Sequence, residues 1–360
     1  MLRARESVRT LATYHPPLAG RDGLRLDFNE NTVGCSPRVL SRLRELTAED
    51  LARYPERAPI EAQLAPHFGV TPPELLLTNG VDEAIHLLCE TFLEPTDEAL
   101  IVVPTFAMYG ISVAATGARV VIVPAADFQF PTSDVMARIN GKTRLIAIAN
   151  PNNPTGSVAP SKDLLEIACR SPQAAILVDE AYFEFYGKTL APAWRKFPNI
   201  FIARTFSKAY GMAGLRAGAL LGDAEQLSFV RRVASPYSVN GVALACLPTA
   251  VEDATFVNRY VTEVRQGRAL LQHTFDVRNI RYWKSEANFV LASFGTQADA
   301  FVEQMRQRGI LVRDRSSDYR CGGCVRITVG TMEHTSLLLK ALDEAVTELS
   351  VRAAKEQVAL

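Results

Sequence analysis

Seven short, nearly unbroken apolar runs recur between residues 75 and 221: Leu75–Leu77, Ala99–Val103, Val120–Val123, Leu145–Ala149, Ala174–Val178, Phe201–Ala203 and Ala217–Leu221. Amphipathic helical stretches or short turns separate them. A strand that is apolar at every position has both faces buried, so these runs predict an α/β fold with a mostly parallel central sheet between helix layers. Beyond Glu252 the texture changes. Long helical patterns at Thr255–Phe275, Gln297–Arg308 and Glu333–Leu349 alternate with strands expected at Asn288–Ala292, Leu311–Val312 and Val325–Val329, which reads as a smaller α+β domain. Residues 1–35 read as irregular, with His15-Pro-Pro17, Gly20 and Gly23 marking turns, before a helix from Ser36 to Leu46 that carries Pro37 in its first turn. The expected organisation is an N-terminal segment over 1–40 that joins the small domain, a large domain over 41–252, and the small domain over 253–360.

Thirty-nine basic residues balance 39 acidic ones. No net field favours nucleic acid or an anionic membrane, so a small-molecule substrate held by local groups is expected. No apolar stretch approaches the roughly 20 residues of a membrane span, and Met1-Leu2-Arg3-Ala4-Arg5-Glu6 has no apolar signal core. A cytoplasmic protein is expected. The six cysteines are scattered except for Cys321-Gly-Gly-Cys324. Zinc would need two further ligands, and His334 stands without a partner, so the pair reads as a glycine-rich turn and no metal is expected.

The chemistry concentrates just past the strand ends, at Asn79-Gly80, Pro104-Thr105-Phe106, Asn150–Gly156, Asp179-Glu180 and Thr205–Lys208. In an open parallel sheet these carboxyl ends converge on one crevice. Lys208 follows the strand at Phe201–Ala203. Burial there disfavours its ammonium form and leaves an amine able to condense with a carbonyl; a solvated surface lysine is the alternative. Asp179 closes an apolar run, and a buried carboxylate needs a cation, for which a protonated pyridine nitrogen would serve; a helix cap is the alternative. Glu180 is expected to face a structural partner or solvent. The helix expected at Asp82–Leu93, with Ile85, Leu88 and Phe92 at helical spacing, could dock a phosphate at its amino end, or Asn79 or Asp82 could simply cap it. In Asn150-Pro-Asn-Asn-Pro-Thr-Gly156, two prolines and a glycine shape a loop from which Asn153 can donate to a phenolate oxygen. Neither a GxGxxG fingerprint nor a Gly-Lys-Ser/Thr phosphate loop is present.

With these motifs assembled, the sequence resembles the fold-type I pyridoxal-phosphate enzymes of the class I/II aminotransferases, and among them the histidinol-phosphate aminotransferases. The likeness runs from Tyr14 and Asn29-Glu-Asn31 through Tyr54-Pro55, Thr78–Glu83, Pro104–Tyr109, Asn150–Gly156, Asp179-Glu-Ala-Tyr182, Thr205–Lys208 and Ala213-Gly-Leu-Arg216 to Val325-Arg-Ile-Thr-Val-Gly330. The resemblance implies that Lys208 is the Schiff-base lysine and proton shuttle, that Asp179 pairs with the pyridinium nitrogen, and that Asn153 and Tyr182 hold the ring oxygen. It implies that Phe106 stacks on the ring, where many members carry tyrosine. Val81 and Asp82, Ser207 and Arg216 would hold the phosphate, with Tyr54 reaching across from the second subunit of a homodimer. Arg326 would bind the anionic end of the substrate, helped by Arg313 and Tyr14.

The activity this implies is a ping-pong transamination between glutamate/2-oxoglutarate and imidazole-acetol phosphate/L-histidinol phosphate, with pyridoxal 5'-phosphate as cofactor. The alternatives are an aromatic amino-acid aminotransferase and a threonine-phosphate decarboxylase. A pyridoxal-phosphate-binding transcription regulator is disfavoured, because about 35 residues before the first expected helix leave no room for a helix-turn-helix unit.

Overall fold

The computed structural model describes residues 2–13, 15 and 20–358. A two-residue strand, β1 (Leu24–Arg25), comes first. The seven apolar runs then become β2 (Leu75–Thr78), β3 (Glu98–Val103), β4 (Arg119–Pro124), β5 (Thr143–Ala149), β6 (Ala175–Asp179), β7 (Ile200–Thr205) and β8 (Gly218–Gly222). They form one sheet in the order β2-β8-β7-β6-β5-β3-β4. The run β7-β6-β5-β3-β4 is parallel throughout. β8 lies antiparallel between β7 and β2, a reversal that apolar content alone could not reveal.

The continuous hydrophobicity of these strands has the expected cause. Along β6, Ile176 and Val178 enter a core with Leu164, Ile167 and Trp194, whereas Ala175 and Leu177 enter the opposite core with Ile85 and Leu88. Both faces are buried, and each large aliphatic side chain contributes about 1.5–3 kcal/mol through removal from water. The helix Gly80–Phe92 supplies the second core and places its amino end at the carboxyl end of β2.

The later segment builds β9 (Tyr282–Trp283), β10 (Phe289–Ser293), β11 (Ile310–Leu311), β12 (Arg313–Asp314) and β13 (Cys324–Thr328). Four of these make an antiparallel sheet in the order β12-β13-β10-β9. β1 pairs in parallel with β11, and the Thr328 amide donates to the Leu26 carbonyl at 2.9 Å, which ties the early chain to this sheet. The early chain is less irregular than expected, since a one-turn helix spans Glu6–Arg9. The helices Ala48–Ala52 and Arg57–Phe68 also escaped the pattern reading. The second buries only Glu61, Leu64 and Ala65 and contains Pro66, so it shows no apolar stripe. Among the described residues, no helix is long and apolar enough to cross a membrane.

Candidate active site

The carboxyl ends of β5, β6 and β7 and the amino end of the helix Gly80–Phe92 bound a cavity of about 150 Å³, and both Lys208 and Asp179 line it. Lys208 Nζ donates to the Phe28 carbonyl at 2.9 Å. Burial pulls this amine down from its ordinary value to about 8, and the positive charge of Arg326 acts in the same direction. Asp179 is 5% exposed. Burial pushes its carboxyl up to about 6, and the two hydrogen bonds it accepts from neutral donors pull the other way without cancelling this. The Tyr109 hydroxyl donates to Oδ2 at 2.6 Å and the Ala181 amide to Oδ1 at 3.0 Å. Glu180 finds the structural partner expected for it: Arg204 donates from Nε at 2.9 Å and closes an ion pair through Nη2 at 2.7 Å.

Two groups meet the cavity from the side. Asn153 Oδ1 accepts from Arg326 Nη1 at 2.5 Å, which leaves the amide N–H of Asn153 as the group it can offer. Asn150 and Asn152 of the same loop are structural. Asn150 Oδ1 accepts from the Ala159 amide at 2.9 Å, and Asn152 donates to the Pro104 carbonyl at 2.9 Å. The Tyr182 hydroxyl accepts from Asn29 Nδ2 at 2.8 Å and keeps its own proton to donate. Phe106 lines the cavity and stands edge-on to Tyr109, with centroids 5.8 Å apart.

The far end suits an anion. Val81 and Asp82 lie in the first turn of their helix, where backbone N–H groups have no helical acceptor. Ser207 Oγ is buried without a hydrogen-bond partner among the described residues. Arg216 holds a left-handed backbone (φ +52°) and pairs with Asp82 at 2.9 Å, so the side chain of Asp82 is engaged by arginine and its backbone N–H remains for an anion. Gly80 is required here: its φ is +73°, and a Cβ would come within 2.7 Å of Arg216 Nη2.

A second cavity of about 360 Å³ shares Phe106, Asn153, Tyr182 and Lys208 with the first. Arg326 and Arg313 line its wall as direct cross-strand partners on β13 and β12. Arg326 is buried, and its Nη2 donates to the Asp27 carbonyl at 2.6 Å. Desolvation lowers its pKa to about 10. The Arg313 guanidinium lies 5.1 Å from the Phe28 ring centre.

Tyr14 lies outside the described residues. Tyr54 lines neither cavity; it is 79% exposed and packs against Tyr237 with ring centres 4.6 Å apart. Cys321 and Cys324 are buried against Phe128 and Leu291. Among the described residues, no group of three His, Cys, Asp or Glu side chains could hold a metal ion. Sequence reasoning missed Tyr109 as a site residue. Its signal was its spacing of three from Phe106, which brings both rings to one side of the turn entering the helix Met108–Thr116.

A sequence profile described as aminotransferase class I and II matches residues 21–342. The histidinol-phosphate aminotransferase of Symbiobacterium thermophilum is 35% identical over 365 residues, covering 97% of this chain and 100% of that protein. Among solved structures, histidinol-phosphate aminotransferase from Sinorhizobium meliloti in complex with pyridoxal-5'-phosphate has a TM-score of 0.87 at 24% identity, covering 97% of this chain and 99% of that one. L-threonine-O-3-phosphate decarboxylase from Porphyromonas gingivalis has a TM-score of 0.77 at 22% identity, covering 90% and 99%. These two structural likenesses concern the fold alone.

Proposed function

The chain belongs to the class I and II aminotransferases, with the α/β architecture of the fold-type I enzymes, and from that premise we propose that it moves an amino group between glutamate and imidazole-acetol phosphate, giving 2-oxoglutarate and L-histidinol phosphate. Its cofactor is pyridoxal 5'-phosphate. The residues fit this group. A buried Asp179 with only neutral donors can accept a pyridinium N–H, the unpartnered Ser207 Oγ can donate to a phosphate, and the lowered Lys208 amine is a nucleophile for the aldehyde. One observation carries the reading. Lys208 and Asp179 bound a single cavity, which shares residues with a second one bearing Arg313 and Arg326.

Bound pyridoxal phosphate supplies the electron sink that lets the Cα–H bond of an amino acid break. The rest is the work of this chain. Asp179, oriented by Tyr109, would hold the ring nitrogen in its protonated form. Asn153 and Tyr182 would donate to the ring oxygen, Phe106 would lie against the ring, and Ser207, Arg216 and the backbone at Val81 and Asp82 would hold the phosphate. Lys208 Nζ would move the proton between Cα and C4′, away from Cα when glutamate gives up its amino group and back to Cα when L-histidinol phosphate forms, and a pKa near 8 suits both directions at neutral pH. Arg326 receives the anionic end of either substrate, assisted by Arg313 and Tyr14. Arg313 and Arg326 stand directly opposite one another across the strands, so an anion between them would meet two guanidinium groups.

We further assign residues 41–252 to a cofactor-binding domain and 1–40 with 253–360 to a smaller one, supported by the pairing of β1 with β11. We read the enzyme as a homodimer in which the exposed Tyr54 completes the neighbouring phosphate site. We place it in the cytoplasm, since its proposed substrates belong to histidine synthesis.

The test is amino transfer to 2-oxoglutarate from L-histidinol phosphate, L-phenylalanine and O-phospho-L-threonine in turn. The highest kcat/KM is expected with L-histidinol phosphate. Preference for phenylalanine would make the chain an aromatic aminotransferase, and carbon dioxide released from phosphothreonine would make it a decarboxylase.

A further inference from the structure

Arg315 lines the second cavity together with Arg313 and Arg326. Its backbone amide donates to the Cys324 carbonyl at 2.9 Å, which anchors it beside β13 close to Arg326. The loop that follows is closed by its own backbone. The Asp318 amide donates to the Arg315 carbonyl at 2.9 Å, Cys321 to Asp318 at 3.0 Å, and Cys324 to Cys321 at 2.8 Å. The Arg315 side chain is 15% exposed and forms an ion pair with Asp318. The pair engages Arg315 Nη2 and leaves its Nε as a donor to spare.

Two buried guanidinium N–H groups along this wall, Arg315 Nε and Arg326 Nε, have no acceptor among the described residues. Three arginines face two carboxylates there, Asp314 and Asp318. Asp314 Oδ1 is taken up by the Ser316 amide at 2.8 Å and hydroxyl at 2.6 Å. A carboxylate brings two oxygens and one charge, whereas a phosphate monoester brings three terminal oxygens and up to two charges. The wall therefore offers donors that suit the three terminal oxygens of a phosphate better than the two of a carboxylate.

From this juxtaposition we propose that Arg315 is a specificity-determining residue that binds the phosphate group of the phosphorylated substrate beside Arg326, with Asp318 holding its side chain in position. Arg315 separates phosphate-bearing substrates from glutamate, which must use the same wall. The proposal rests on the substrate reading given above.

The experiment is steady-state kinetics of the pyridoxal-phosphate-loaded enzyme and of Arg315→Gln and Arg315→Lys, with L-histidinol phosphate and with L-glutamate as amino donors. Losing a charge-assisted bond predicts that Arg315→Gln raises the KM for L-histidinol phosphate about 10- to 100-fold with little change in kcat. The shift for glutamate should be several-fold smaller. Arg315→Lys should recover part of the loss, because the charge returns without the planar fork. An unchanged KM for L-histidinol phosphate in Arg315→Gln, or equal losses with both donors, would overturn the assignment while leaving the transamination reading standing. Failure of the unmodified enzyme to use L-histidinol phosphate would overturn the reading and the assignment together.

Discussion

Burial pushes both Asp179 and Lys208 toward their neutral forms, with opposite consequences for stability. The Asp179 carboxyl lies near 6 in the folded chain against 3.8 for the free group, so the fold binds this proton more tightly than the unfolded chain. Stability is therefore lost as pH rises from 3.8 to about 6. Lys208 lies near 8 against 10.5, so its cost is complete below about 8 and fades as pH rises to 10.5. In cofactor-free protein, the unfolding free energy of Asp179→Asn minus that of the unmodified chain should grow by about 2 kcal/mol between pH 4 and 6. Urea titrations at each pH measure it, and a flat difference would contradict the buried carboxylate. Tyr109→Phe removes the hydroxyl that donates to Asp179 Oδ2. Losing a hydrogen bond to a charged group predicts about a 10-fold fall in kcat/KM together with weaker cofactor binding, followed by activity and cofactor titration.

Strand alternation explains how one short segment serves chemistry and folding at once. On β6 and the residue after it, Asp179 enters the cavity and Glu180 turns to the opposite side; on β7, Thr205 lines the cavity and Arg204 meets Glu180. Glu180 is 1% exposed and Arg204 7%. Breaking a buried pair leaves an uncompensated charge, so Arg204→Met should lower stability by about 3–5 kcal/mol in urea unfolding. The amino end of the helix Gly80–Phe92 makes a different demand. Gly80→Ala strains a left-handed backbone and crowds Arg216, so cofactor titration should show weakened binding, with a stability loss of about 1 kcal/mol. Unaltered affinity would remove this helix end from the phosphate site.

At the scale of the whole molecule, the exposed Tyr54 and the position of Lys208 make a test of a shared site possible. If Tyr54 completes the neighbouring site, a mixture of Tyr54→Ala and Lys208→Ala chains regains roughly a quarter of full activity, because half the dimers are hybrids with one intact site. No recovery would place Tyr54 outside the partner's site. The seven runs of the large sheet were legible within a residue or two because double burial makes strands apolar throughout. The convergence of Asp179, Asn153 and Lys208 was legible because parallel strands deliver their carboxyl ends to one side. The reversal of β8 was not, since strand direction leaves no trace in an apolar run. Tyr109 and Arg315 were not, because a tyrosine in a helix and an arginine in a loop take their meaning from neighbours distant in sequence.

The central claim is that the amine of Lys208 and the carboxylate of Asp179 serve one cofactor in one cavity. Borohydride reduction of the protein loaded with pyridoxal phosphate, followed by peptide mapping, tests it most directly. The cofactor mass is expected on Lys208 and is expected to vanish in Lys208→Ala; cofactor mass on any other lysine, with turnover retained in Lys208→Ala, would contradict it.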